Sequence, residues 1–385
     1  MFILIVSRGF PSPSNVMNGN FEADQAKALT KLGHKVVVFS VDRRLRASDR
    51  RIGINHRVEE GIDVYNFHLL PMPIKTLYIL GYFYVRLVAW LMSSYLIKHH
   101  GKPDIIHAHY LYTMPIAITL AKKFKVPCIG TEHWSYMGRD IMPKFVKFYA
   151  KRVYSKLDAL VSVSNSLRNN ILKHYSIRSR VIPNMIDASQ FQSSNSFVDK
   201  NRIDTNFSFI SIGALVDGKR FDLLIKSFSQ LQDKETLLTI IGDGPKKTDL
   251  IKLASDLGVQ DRVYFTGRLS RDKIIQYLLN SYVFALPSDS ETFGVVYIEA
   301  MALGLPIIAT RCGGPEDFVD SSNGLLIDRN SLDQLTEAMC YMIEHYSDYD
   351  KALISSNTIN QFSSEKVAKQ IESLYQDILT NCIGH

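Results

Sequence analysis

Residues 288–310 have the sequence SDSETFGVVYIEAMALGLPIIAT, in which Glu291 lies in a polar turn and Glu299 lies in the apolar run that follows Gly294. The preceding run SYVFALP predicts a strand, and doubly wound folds bind ligands outside the carboxyl ends of their strands. Glu291 can accept hydrogen bonds from sugar hydroxyls, and Glu299 from a ribose diol. The alternative is a glutamate favoured by the helix dipole, followed by an exposed one.

The same stretch predicts a helix that begins near Gly294. A glycine there lets the backbone approach a ligand closely. The amides of Gly294, Val295 and Val296 would be free N–H groups at the helix N-terminus. Such amides, together with the helix dipole, favour phosphate.

Strands alternate with helical patterns along the whole chain, which predicts βαβ units and parallel sheets. The first half contains strand-like runs at 2–6 and 35–40, and the alternation restarts with NFSFISIG at 206–213. The fold class is therefore α/β with two doubly wound domains. The predicted organisation is domain 1–187, a polar linker 188–205, domain 206–362, and a C-terminal amphipathic helix in 363–385 that crosses back to the first domain.

Length and composition agree with an ordinary two-domain globular protein. The chain has 385 residues, which is too long for a single hydrophobic core. Of these residues 46% are hydrophobic and 22% are charged, as in ordinary globular proteins. Four cysteines without CxxC spacing indicate a reducing compartment and no zinc site. The start MFILIVSRG predicts a first strand rather than a signal peptide, so the expected location is cytoplasmic.

Charge is divided unevenly along the chain. Residues 1–190 carry a formal charge of +15 and residues 191–385 carry −8, which together give the net +7. One interpretation is a solubility pattern, and the other is that the first half contacts an anionic partner. Arg43 and Arg44 begin a basic cluster suited to an acceptor pyrophosphate or anionic headgroups, or simply to a solvated loop. The segment 76–97 is long enough to span a bilayer, but its central Arg86 favours peripheral contact or a core helix.

The segment at 291–310 resembles the signature of the retaining family-4 (group 1) glycosyltransferases of the GT-B fold. Their frame E-x-F-G-x-x-x-x-E-A-M-A-x-G-x-P-V-I-A-T matches ETFGVVYIEAMALGLPIIAT here. VIPNMIDASQF at 181–191 and GALVDGKRFDLLIKSF at 213–228 resemble further motifs of the family. The resemblance implies two Rossmann-like domains that face each other across a cleft, with the acceptor bound by the first and the nucleotide sugar by the second.

The resemblance also implies roles for single residues on the donor side. Glu291 takes the position that binds the donor sugar, and Glu299 the position that binds the ribose. Lys219 matches the lysine of the family's diphosphate clamp, whereas Ala214 occupies the place of the clamp arginine. Arg220 is either a substitute cation or a solvated surface residue. Gly19 remains from the family's glycine-rich loop, which closes over the donor phosphate.

Two histidines at neighbouring strand ends complete the expected site. His109 matches a family histidine near the donor sugar, which makes it a candidate catalytic residue with Glu291 and Lys219. His133 resembles an acceptor-side histidine, and Glu132 is a weaker acceptor-side candidate. The alternative for each is a packed or surface residue.

The resemblance implies transfer of a hexose from a nucleotide-diphosphate sugar with retention of the anomeric configuration. A UDP-sugar is favoured over a GDP-sugar as the donor. The expected acceptor is a glycan or a polyprenyl-pyrophosphate-linked glycan in the biosynthesis of a cell-surface polysaccharide. No metal or other cofactor is expected, because the only D-x-D match, Asp348 to Asp350, lies in a polar late loop. No nucleic-acid partner is expected. Two alternatives stay open: a nucleotide-sugar 2-epimerase of the same architecture, and a non-enzymatic polyanion-binding module. Epimerisation without any acceptor would support the first, and steep salt dependence the second.

Overall fold

The computed structural model describes residues 1–12, 18–42, 53–68, 78–138, 142–192 and 206–383. The chain divides into two compact units, Met1–Met185 with Ser364–His385, and Ile186–Ser363. The predicted linker 188–205 lies largely outside the described residues.

The first unit contains an eight-stranded sheet with the strand order β3-β4-β2-β1-β5-β6-β7-β8. Its strands are β1 (Phe2–Ser7), β2 (Lys35–Asp42), β3 (Gly53–Glu59), β4 (Ile62–His68), β5 (Ile105–His109), β6 (Cys128–Glu132), β7 (Ala159–Ser162) and β8 (Arg180–Val181). Its helices are α1 (Asn20–Lys31), α2 (Tyr78–His99), α3 (Met114–Phe124), α4 (Lys144–Tyr154), α5 (Asn165–Tyr175) and α13 (Ser364–Ile383).

The predicted parallel sheet is confirmed except at β3, which pairs antiparallel with β4. Apolar side chains of α1 and of the central strands form a core that α13 completes with Val367, Ile371 and Tyr375. The chain runs from β1 to β2 on one side and to β5 on the other. The carboxyl ends of β1 and β5 therefore form the topological switch point of this unit, where such sheets bind ligands.

The second unit contains a six-stranded parallel sheet with the order β11-β10-β9-β12-β13-β14. Its strands are β9 (Ser208–Ile212), β10 (Leu237–Ile241), β11 (Val263–Gly267), β12 (Val283–Leu286), β13 (Ile307–Thr310) and β14 (Gly324–Ile327). Its helices are α6 (Ser189–Gln192), α7 (Phe221–Ser229), α8 (Lys247–Asp256), α9 (Arg271–Leu279), α10 (Val295–Ala302), α11 (Leu332–His345) and α12 (Lys351–Phe362). Its switch point lies between β9 and β12.

Candidate active site

The loops that follow β9 and β12 bring two predicted site residues together at the switch point of the second unit. Lys219 ends a short 3-10 turn after β9, and Glu291 follows β12. Lys219 Nζ lies 2.5 Å from Glu291 Oε1, and Ser288 Oγ donates to the same oxygen at 2.9 Å. Within the described part of the chain the second carboxylate oxygen makes no hydrogen bond. One oxygen is thus fixed, while the other is available to a ligand hydroxyl.

The backbone of Glu291 is fixed as well. Its N–H donates to the carbonyl of Cys312, and its own carbonyl accepts from the N–H of Gly314. These bonds join the loop after β12 to the loop after β13. The carboxylate is only 11% exposed, so its direction is set by its surroundings rather than by solvent.

Gly294 begins α10 in a conformation that requires glycine. Its φ is 93°, and a Cβ there would lie 2.6 Å from the ring of Tyr297. That ring is held because its hydroxyl donates to the carbonyl of Leu286 at 2.7 Å. Gly294, Val295 and Val296 are partly exposed at the helix N-terminus, where amides favour an anion.

Glu299 lies on α10 and forms an ion pair with Arg271 at the start of α9. The Arg271 guanidinium donates to Glu299 Oε1 at 3.1 Å, and both side chains are partly exposed. The carboxylate is therefore neither a core group nor a fully solvated one.

Arg220 is held by acidic neighbours in its own unit. It has a left-handed backbone (φ 54°), and its guanidinium donates to both oxygens of Asp222 at 3.0 and 3.3 Å. Asp289 lies 3.5 Å away. The hydrogen bond that Arg220 donates to Asp222 raises the pKa of Arg220, although partial burial opposes the increase.

In the first unit, Gly19 immediately precedes α1 and packs against the backbone of Gly9, which follows β1. Its φ is 79°, and a Cβ there would lie 2.2 Å from the carbonyl oxygen of Gly9. Only glycine fits this close approach. Arg43 and Arg44 lie outside the described residues.

His109 and His133 are in direct contact at the carboxyl ends of β5 and β6. His109 Nδ1 lies 2.9 Å from His133 Nε2, and the two rings stack at 5.2 Å. A third histidine, His107, stacks on His109 at 4.8 Å and lies 2.7 Å from the Tyr375 hydroxyl. Burial lowers the pKa of His109 well below its usual value and lowers those of His107 and His133 to about 3. These imidazoles are neutral at pH 7.

Glu132 is fully buried, and its carboxylate accepts hydrogen bonds from neighbouring segments of the first unit. Its Oε1 accepts from the N–H groups of His133 and Trp134, and its Oε2 accepts from Leu111 N–H and the Tyr154 hydroxyl. Burial raises its pKa to about 6, although these hydrogen bonds oppose the increase. The carboxylate positions the segment that carries His133.

Arg8 and Glu22, which were not predicted as site residues, lie beside this histidine pair. Arg8 directly follows β1, and Glu22 lies in the first turn of α1. The available signal was a cation placed immediately after the first strand.

A pocket in the first unit opens beside His133. It is lined by side chains of α1, β6, β7 and the segment after β8, among them Phe21, Gln25, Thr131 and Asn184. Phe21 stacks on the His133 ring at 5.3 Å. The pocket therefore has an aromatic wall and several hydrogen-bonding groups next to a predicted acceptor-side residue.

Among the described residues, no group of three or more His, Cys, Asp or Glu side chains is placed to hold a metal ion. Asp350 instead caps α12, where its side chain accepts from Leu353 N–H.

The two doubly wound α/β units have the architecture of the GT-B class, and the family comparisons identify the class of protein. Residues 193–358 match the family described as "Glycosyl transferases group 1", and residues 21–190 match "Glycosyltransferase Family 4". The chain belongs to this family of GT-B glycosyltransferases.

Individual relatives resemble the chain over nearly its full length. The putative teichuronic acid biosynthesis glycosyltransferase TuaC of Bacillus subtilis is 27% identical, covering 98% of this chain and 99% of the relative. A solved structure of sucrose-phosphate synthase from Thermosynechococcus elongatus superposes with a TM-score of 0.80, 18% identity and 99% coverage of both chains. Anabaena HepE in complex with UDP and glucose gives a TM-score of 0.74, 17% identity, and coverage of 98% and 100%.

Proposed function

We propose that this protein transfers a hexose, with retention and without a metal ion, from a UDP-sugar to a glycan or lipid-linked acceptor of a cell-surface polysaccharide. The observation that carries the proposal is the contact of Lys219 with Glu291 at the switch point between β9 and β12. A cation and a carboxylate side by side at this edge suit a ligand that carries a diphosphate and hydroxyls.

In the proposed reaction the bond between the anomeric carbon and the diphosphate oxygen breaks, and negative charge develops on the leaving nucleoside diphosphate. Lys219 and the amides at the start of α10 stabilise this charge. The acceptor oxygen bonds to the same face of the anomeric carbon, and its proton passes to the departing phosphate. Glu291 orients the sugar through its second carboxylate oxygen and forms no covalent bond.

The histidines act as neutral hydrogen-bonding groups. Because their pKa values are lowered far below 7 by burial, His109 and His133 do not supply positive charge at physiological pH. Their mutual hydrogen bond fixes one nitrogen of each ring. His109 is proposed to contact the donor sugar, and His133 to line the acceptor side with the pocket beside Phe21.

The choice of UDP and of a cell-surface polysaccharide rests on what the relatives are named for. HepE binds UDP and glucose, and TuaC is named for teichuronic acid biosynthesis. Metal independence rests on Lys219 and the helix amides as a counter-charge for the diphosphate.

A peripheral location at an anionic membrane is proposed from two helices of the first unit. Helix α4 has four cations and no acidic residue, and it exposes Phe145 and Phe148 to 42% and 66%. Helix α2 exposes Leu87, Trp90 and Ile97. Exposed aromatic and aliphatic side chains with flanking cations are typical of helices that lie in a bilayer interface. Within the described residues, no helix has the length and hydropathy needed to span a membrane.

A screen of UDP-, GDP- and ADP-sugars in excess EDTA tests the proposal. We expect thermal stabilisation and slow hydrolysis with UDP-sugars, and a retained anomeric configuration in the NMR spectrum of the transferred sugar. Activity that vanishes in EDTA and returns with Mg²⁺ or Mn²⁺ would contradict metal independence. Epimerisation of a UDP-sugar without an acceptor would replace the proposal with an epimerase.

A further inference from the structure

An arginine and a buried glutamate are paired without a hydrogen bond at the switch point of the first unit. Arg8 follows β1, the neighbour of β5 at this switch point. Its Nε lies 3.9 Å from Glu22 Oε1, and its guanidinium carbon lies 4.1 Å above the ring of Tyr110, which follows β5. The Arg8 side chain is 36% exposed, whereas Glu22 is completely buried.

Structural stabilisation alone does not account for this arrangement. Both carboxylate oxygens of Glu22, and Nε of Arg8, are buried without a close hydrogen-bond partner within the described residues, and the backbone N–H groups of Arg8 and Glu22 offset only part of the burial that raises the pKa of Glu22. Buried charges of this kind are costly unless they are paired and hydrogen-bonded. Tyr110 adds local strain, since it is a non-glycine residue with φ of 68°. Unsatisfied groups and strain of this kind cluster at functional sites.

We propose that Arg8 is a phosphate-binding residue of the first unit, held in place by the Tyr110 ring and the Glu22 carboxylate. The guanidinium packs on the Tyr110 ring, lies beside the Glu22 carboxylate and is hydrogen-bonded to the Tyr112 side chain, while 36% of the Arg8 side chain stays exposed. A planar guanidinium matches phosphate oxygens in a two-point contact that an ammonium group does not reproduce. The location at a topological switch point adds an independent reason to expect a ligand there.

This inference rests on the proposed function for the origin of the phosphate, which belongs either to the nucleotide of the donor or to a pyrophosphate-linked acceptor. Both present the same chemistry to Arg8.

Phosphate binding at Arg8 is expected to be coupled to a proton on Glu22. Burial raises the pKa of Glu22 to about 7, and Arg8 opposes the increase. A bound phosphate neutralises Arg8 and raises that pKa further, so Glu22 takes up a proton. The other groups that act on this cluster are Asp24 on α1, the phenols of Tyr110 and Tyr112 after β5, the Glu132 carboxyl at the end of β6, and the neutral imidazoles of His109 and His133. Burial raises the pKa of both phenols, which remain neutral near pH 8.

Isothermal titration calorimetry of the full chain with UDP, geranyl diphosphate and inorganic pyrophosphate tests the inference. We expect Arg8→Gln to lower the affinity for at least one organic diphosphate tenfold or more. The affinity of Arg8→Lys should lie between those of Arg8→Gln and the wild type. Arg180→Gln, which removes an arginine paired with Asp377 at 3.0 Å in the same unit, should change nothing. A loss of affinity confined to UDP would assign the donor phosphate to Arg8, and a loss of affinity confined to geranyl diphosphate would assign the acceptor phosphate to it.

The proton coupling gives a second readout. At pH 8 the wild-type binding enthalpy should depend on the ionisation enthalpy of the buffer, and this dependence should disappear in Glu22→Gln. Unchanged affinity of folded Arg8→Gln and Arg8→Lys for all three probes would overturn the inference. If Lys219→Ala still weakens UDP binding in that case, the proposed function stands without the Arg8 inference. If the wild type binds none of the probes, both are contradicted.

Discussion

Lys219 Nζ and Glu291 Oε1 lie 2.5 Å apart, although their residues are separated by 72 positions in the chain and follow different strands. The parallel sheet brings them together, because β9 and β12 are neighbours whose carboxyl ends meet at one edge. The ion pair holds the lysine beside the carboxylate that we assign to the donor sugar. Three elements of the proposed site are thereby joined: the loop after β9, the loop after β12 and the start of α10.

Replacement of Lys219 by alanine should lower turnover more than it weakens binding of UDP. Charge on the diphosphate increases as the glycosidic bond breaks, so a cation contributes most in the transition state. Steady-state kinetics should show a fall in kcat of tenfold or more with a smaller change in KM. Lys252→Ala, which breaks a lysine–carboxylate pair with Asp256 on α8, is the matched control. Equal kinetics for Lys219→Ala and the wild type would remove Lys219 from the site.

Replacement of Glu299 by alanine should weaken nucleotide binding about tenfold or more with little effect on the thermal midpoint. The expected loss is that of hydrogen bonds from the ribose to a charged acceptor. Arg271→Ala removes the ion-pair partner but keeps the carboxylate, so it should retain most of the UDP affinity. If calorimetry gives the two variants the same affinity as the wild type, the ribose is bound elsewhere.

Glu22→Gln should raise the thermal midpoint at pH 8 and leave it nearly unchanged at pH 4.5. The pKa of Glu22 is raised from 4.5 to about 7 in the folded protein, so the folded state binds more protons between these values. Stability from this group therefore falls as pH rises, by about 3 kcal/mol at most. Glutamine removes that penalty. A lower midpoint for Glu22→Gln than for the wild type at pH 8 would show that the ionised carboxylate is stabilising.

Phe148→Ser should weaken binding to anionic liposomes, which high salt should also weaken. An exposed aromatic ring on a cationic helix stabilises binding when it enters the bilayer interface. Each nearby cation adds about 1 kcal/mol of binding free energy at an anionic surface. Leu353→Ser, at an exposed position on α12, is the control that should bind normally. Charge reversal at Arg43 and Arg44 tests the basic cluster separately. Equal binding of Phe148→Ser and the wild type, or wild-type indifference to lipid charge, would make the charge division a solubility feature.

The sequence predicted the alternation of strands and helices because each βαβ unit has its own hydrophobic pattern. It did not predict β3, whose pairing depends on a two-residue turn. Glu60 and Gly61 both have positive φ, as a hairpin turn of this kind requires. The run EEGID contained that signal, but the alternation of GINHRVE is too polar to predict a strand on its own.

The motif-bearing residues Glu291 and Glu299 were found from the sequence, whereas the residues around the histidines were not. Glu132 was expected on the acceptor side, and the structure gives it four hydrogen bonds within the first unit. Arg8, Glu22 and Tyr110 belong to different elements and no sequence motif links them, so their contact becomes visible only when β1, α1 and β5 are packed together. Spacing identifies local motifs, but a buried charge pair is a tertiary property.

The most direct test of the account is the turnover of Glu291→Gln with the UDP-sugar that the wild type uses. Glutamine keeps the shape of the side chain but removes the charge that pairs with Lys219 and accepts from the sugar. We predict less than about a tenth of wild-type turnover, a loss above about 1.4 kcal/mol, from a protein that is still folded at the assay temperature. Asp256→Asn, the equivalent change in the Lys252 pair, should keep full activity. Turnover of folded Glu291→Gln above a tenth of the wild-type value would contradict the assignment of this carboxylate to the donor sugar.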